Sequence, residues 1–111
     1  MIEVIILNYL KTKLSVPIAL EKTGSLPQKY VLFEKLPSSR TNHLYSSRFA
    51  FQSYSDSKYG AALLNEEVKK AVDSMIELDD IAGIKLDSDY DFTDTTTKEY
   101  RYQAVYDIKH Y

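Results

Sequence analysis

The densest group of chemistry-bearing side chains is the run Asp87-x-Asp89-x-Asp91, followed by Asp94. Carboxylates at alternate positions are what a Ca²⁺ loop uses, so the run can be tested against that pattern. A loop opening at Asp87 would want Gly at its sixth position and Glu at its twelfth. Phe92 and Lys98 stand there, and the pattern fails at both. The acids then read as the solvated face of a strand, where like charge discourages edge-to-edge pairing.

Other catalytic sets are no easier to assemble. His43 and His110 are the two histidines and the chain has no Cys. Zn²⁺ sites take three or four ligands, so two isolated histidines are a poor start. No Ser sits in a nucleophile elbow with a His base. The three Gly are scattered and build no phosphate loop. Neither enzymatic activity nor a cofactor is expected. Arg40, His43 and Arg48 flank a polar stretch with Tyr45 between them, and interleaved cations and aromatics can hold single-stranded nucleic acid. That patch is small, and arginines in such a loop equally suit a partner's carboxylates.

At 111 residues and a net charge of −2, the chain reads as one domain over residues 1–111 with no global basic field for phosphates. No sequence-specific nucleic acid is expected as a partner. No apolar run approaches the roughly 20 residues of a membrane span. The opening residues lack a basic leader and a small-residue cleavage site, so no signal peptide and no membrane are expected. The ten Tyr are the one oddity of composition. Tyr suits half-exposed strands and also protein interfaces.

The elements follow from periodicity. Ile2, Ile5, Ile6, Tyr9 and Leu10 recur at helical spacing, and Val16-Pro17 stops that helix. Residues 17–22 form a short candidate strand, Thr23-Gly24-Ser25 a turn, and residues 30–36 a buried strand. Pro37 to Asn42 reads as an exposed loop. From Tyr45 alternation is clean: Tyr45, Ser47, Phe49, Phe51 and Ser53 share one face, while Ser46, Arg48, Ala50, Gln52 and Tyr54 share the other. Ser55-Asp56-Ser57 offers helix caps. A helix over 58–78 carries Ala61, Leu64, Val68, Ala71, Val72, Met75 and Ile76 on one stripe. Ile84, Leu86, Ser88, Tyr90 and Phe92 then alternate with the acids. A polar tip over 93–98 leads into a last strand, 100–109, pairing antiparallel with its predecessor. The fold class expected is α+β, an antiparallel sheet of four to five strands with two helices packed on one face.

Four segments carry a family resemblance. Tyr30-Val31-Leu32-Phe33, then Phe51-Gln52-Ser53-Tyr54-Ser55, then Ala61-Ala62 opening a long helix, and finally Arg101-Tyr102-Gln103-Ala104-Val105-Tyr106, resemble the tail terminator (tail-completion) proteins of long-tailed bacteriophages and prophages. The likeness is best over residues 30–78 and 90–106; the first 29 residues match in pattern only.

The resemblance implies a helix-flanked antiparallel sheet and no catalysis. It implies a structural virion protein, made in the host bacterial cytoplasm and ending in the tail. Its partners would be itself, as a homo-hexameric ring, the tail tube protein, and the head connector or completion protein. The ring would stop tube elongation and prepare head–tail joining; a monomer in dilute solution is compatible, the ring closing on the tube. A different head-completion protein, or a small nucleic-acid-binding module, is the alternative. A closing ring needs two different complementary patches on each subunit. The arms expected to supply them are residues 37–44 and 91–98. The candidate interface residues are Arg40, His43, Tyr45, Arg48, Asp87, Asp89, Asp91 and Asp94, with arginine on one subunit facing aspartate on the next.

Overall fold

The computed structural model describes every residue except Thr23, Ser25, Leu26, Asn42 and His43, and for residues 38–41 and 44 it describes the backbone alone. An amphipathic first segment forms helix α1, Ile2–Lys13, with Lys11 and Lys13 in its last turn, where cations suit the helix dipole. A two-residue strand β1, Ile18–Ala19, follows. Strands β2, Tyr30–Thr41, and β3, Leu44–Ser55, are each 12 residues long. Ser57 then caps helix α2, Lys58–Ser74, its side chain accepting from the Gly60 amide at 3.0 Å. A 3-10 turn, Met75–Glu77, leads to β4, Ile81–Asp91, and β5, Tyr100–His110.

The five strands lie in the order β1-β2-β3-β5-β4. Every pairing is antiparallel except β1 with β2, which makes the sheet mixed where an antiparallel one was expected. Strands of 12 residues at roughly 3.4 Å each span about 40 Å, which sets the 43 Å long dimension of the molecule. The α+β class, with two helices over the sheet, is as expected.

Both helices cover one face. Phe33, Phe49, Phe51, Ala104, Tyr106 and Ile108 point into a core completed by Ile2, Ile6 and Leu10 of α1 and by Leu64, Val68 and Val72 of α2. Phe51 meets Tyr106 edge-on at 5.9 Å and stacks on Phe33 at 5.5 Å. Each fully buried side chain of this size contributes roughly 1.5–3 kcal/mol. Tyr30, Ala50, Tyr54 and Val105 are also buried, yet they lie outside this core, on the sheet's other face.

Three expectations need correction. The stretch expected as a loop from Pro37 belongs to β2, which pairs with β3 out to Thr41 and Leu44. Pro37 and Ser38 fall where Leu36 pairs with Arg48 and Ser39 with Ser46, so a bulge absorbs the proline that a regular ladder would reject. Asn42 lies outside the described residues. The helix expected to reach residue 78 ends at Ser74, and Ile76, assigned to its buried stripe, is exposed. Asn65, given no place on that stripe, is fully buried.

Candidate assembly interface

The acidic run does not present one outer face. Leu86 pairs with Tyr106 and Ser88 with Val105, so Asp87 is an extra residue with no partner across the β4–β5 ladder. Such a bulge shifts the alternation by one residue and reverses which side every later side chain takes. Asp87 lies on the open face of the sheet, where its Oδ1 accepts from Arg48 Nη2 at 3.2 Å. Asp89 and Asp91 are turned toward the helices instead. Asp89 accepts from Asn65 Nδ2 at 2.6 Å and from Lys69 Nζ at 2.5 Å. Asp91 meets Lys58 Nζ at 3.4 Å. The three acids thus reach three separate cations of their own chain.

Arg48 is committed as well. It sits opposite Asp107 on the β3–β5 ladder, and its Nε donates to Asp107 Oδ1 at 2.9 Å while Nη2 donates to Oδ2 at 3.3 Å. This two-pronged bond holds the Asp107 carboxyl below the usual carboxylate range and raises the Arg48 guanidinium. Within its own chain Arg48 thus already has two carboxylate partners, Asp107 and Asp87. Arg40 lies in β2 opposite Tyr45, where the backbone alone is described, and His43 lies outside the described residues.

Tyr45 stands at the sheet's end, its ring stacked on His110 at 5.5 Å. His110 was read as an isolated terminal histidine, but it is buried and its Nε2 lies 2.7 Å from Ser47 Oγ. The signal for this was available, since His110 extends the alternation of Tyr106 and Ile108, as Ser47 does that of Phe49. His110 and Tyr45 border a pocket of about 350 Å³ lined also by Ile2, Glu3, Lys35 and Asp80. Ser47 is itself buried, and the imidazole Nδ1 lies 3.4 Å from Tyr111 O. The Ser47–His110 pair reads as a structural hydrogen bond.

Of the two expected arms, one projects. Ser55 pairs with Tyr100 at the end of β3, so residues 92–99 stand beyond the sheet as the tip of the β4–β5 hairpin. Two aspartates fold it. Asp91 Oδ1 accepts from the Thr93 amide at 2.9 Å and hydroxyl at 2.6 Å; Asp94 Oδ1 accepts from the Thr96 amide at 3.0 Å and hydroxyl at 2.6 Å. These bonds hold both carboxyls below the usual range. Arg101 donates to the Phe92 carbonyl at 2.7 Å and stacks over its ring at 4.6 Å.

The open face also carries a hydrogen-bonded chain that spacing alone did not show. Arg101 Nη1 donates to the Tyr54 hydroxyl at 3.2 Å, and that hydroxyl to Gln52 Oε1 at 3.2 Å. Gln52 Nε2 donates to Gln103 Oε1 at 2.9 Å, and Gln103 Nε2 to the Tyr90 hydroxyl at 2.5 Å. Tyr30 stacks on Tyr54 at 4.5 Å. Among the described residues, no helix is long and apolar enough to cross a membrane. Comparison with protein-family models and with curated proteins finds no match to this chain.

Proposed function

We propose that this chain is a tail terminator: a non-enzymatic structural subunit that closes a ring on the end of a phage tail tube, stops its elongation and presents a surface for head joining. One observation carries the reading. The segments that resemble that family, far apart in sequence, are neighbours in space: Phe33 of β2 pairs with Phe51 of β3, which pairs with Ala104 of β5. The fourth, Ala61-Ala62, follows β3 directly through the Ser57 cap and lies in the first turn of α2. The likeness therefore covers one contiguous unit, three adjacent strands and the helix that follows the middle one.

The surfaces fit a subunit that acts by contact. The hairpin tip of residues 92–99 is folded by bonds of its own, from Asp91 to Thr93 and from Asp94 to Thr96, and a loop so held lowers the ordering cost of docking. Arg48, one of the cations the nucleic-acid alternative relies on, is held by Asp107 and Asp87. The test is negative-stain microscopy of the purified protein mixed with the tail-tube protein of the same genome. Capped tubes or six-fold rings are expected. Uncapped tubes with a well-folded protein and no rings would overturn the reading and turn attention to head completion.

A further inference from the structure

Among the described residues, three strand edges carry no strand partner: that of the two-residue β1, the outer edge of β4 over its 11 residues, and that of β2 beyond Leu32, where β1 stops pairing; the last two are long enough to add a strand. Native proteins usually protect such edges with charges that repel an incoming strand. β4 has the charges, but its three aspartates are drawn back over their own chain, Asp87 onto Arg48, Asp89 onto Lys69 and Asp91 onto Lys58, which leaves Lys85 as its other charge. The edge is left with neutralised pairs and a free row of backbone donors and acceptors.

Building on the terminator reading, we propose that β4 of one copy pairs with the β2 edge of the next, so that the ring closes by continuing the sheet from subunit to subunit. Strand direction supports this. Three successive antiparallel pairings, β2–β3, β3–β5 and β5–β4, make β2 and β4 run in opposite directions within one chain. Rotation about an axis along the strands preserves direction, so β4 meets the next copy's β2 antiparallel, the stronger ladder. The two edges differ, as a closing heterologous contact requires. On β2 the pairing stretch is bounded by β1 at Leu32 and by the bulge at Pro37, which leaves residues 33–36.

The test uses the absence of native cysteine. Lys35, Phe49, Tyr106 and Leu86 share one row across the sheet, and Glu34, Ala50, Val105 and Ser88 the next. Three double variants sample the register: Lys35→Cys with Leu86→Cys, and Glu34→Cys with Ser88→Cys or Lys85→Cys. Within one chain the two cysteines are three strand spacings apart, about 14 Å, beyond the roughly 7 Å a disulfide tolerates between Cα atoms. Oxidation is followed on non-reducing gels, at high protein concentration and again with tail-tube protein present.

The expected result is a ladder of linked species above the dimer in at least one double variant, with single variants giving dimers at most. A ladder beside uncapped tubes keeps the edge pairing and removes the terminator function. Capped tubes, or a multimer by light scattering, without a ladder in any double variant overturn the edge pairing and leave the function standing. Strong dimers from Leu86→Cys alone, without a ladder, overturn it in favour of symmetric β4–β4 pairing, and a protein that stays monomeric in both conditions overturns it too.

Discussion

Arg48 and Asp107 face each other across the β3–β5 ladder and share two hydrogen bonds, at 2.9 and 3.3 Å. A cross-strand pair on an open sheet face holds register and is screened by solvent, so its contribution is modest. A double-mutant cycle of Arg48→Ala and Asp107→Ala is expected to show coupling: the double variant loses less in melting temperature than the two single losses added. Additive losses would mean the pair contributes nothing.

The same pair makes stability depend on acid. Asp107, Asp91 and Asp94 all have folded carboxyls held below their ordinary range, by Arg48, Thr93 and Thr96 respectively. The unfolded chain therefore takes up these protons first as pH falls. Their stabilisation is complete above the ordinary carboxylate range and is lost on descending from about pH 5 through the folded values. Melting temperature is expected to be flat from pH 7 to 5 and to fall below that. Asp107→Asn should start lower at pH 7 and fall less steeply; an unchanged acid slope would count against this assignment.

Gly60 occupies the third position of α2, where a β-carbon would come within 2.3 Å of Ser55 Oγ and 3.0 Å of the capping Ser57 Oγ. Alanine is the better helix former by about 1 kcal/mol, whereas overpacking costs typically about 1–3 kcal/mol. The clash is expected to win, because Ser55 is anchored at the end of a buried strand. Gly60→Ala should lower unfolding free energy in urea by about 1 kcal/mol net, and adding Ser55→Ala should recover part of the loss. A more stable Gly60→Ala protein would show that the junction has room.

What was legible in the sequence was whatever alternation or a cap encodes. Phe49 and Phe51 against Ala50 and Gln52 gave β3 its faces, and Ser57 marked the start of α2. Two of the misses share a cause: bulges are invisible to a two-state pattern. Pro37 read as a loop because a proline breaks a regular ladder, and a bulge accommodated it. Asp87 read as the first of three outward acids because an unbroken alternation was assumed, and the extra residue turned Asp89 and Asp91 toward Lys69 and Lys58. Asn65, a polar residue outside the apolar stripe, is with Lys69 a residue by which α2 reaches Asp89. The candidate interface was therefore legible as a set of charges and illegible in its partnerships, of which those of Asp87, Asp89 and Asp91 with cations depend on that one bulge.

Tyr9 ties the end of α2 to α1. Its hydroxyl lies 2.7 Å from Ser74 Oγ, 3.1 Å from the Ser74 carbonyl and 2.8 Å from Glu77 Oε1. Its ring is buried in the core, so Tyr9→Phe removes only the polar latch. Ser74 Oγ keeps the Ala71 carbonyl at 2.7 Å, and Glu77 is exposed, so no buried group is stranded. The expected cost is therefore about 1 kcal/mol, a fall in melting temperature of roughly 4–8 °C for a domain near this size. Because α1 is bound to the rest of the molecule through few polar contacts, its amides should lose hydrogen-exchange protection more than those of β3 or β5. Uniform loss across all elements would show that α1 opens only with the whole domain.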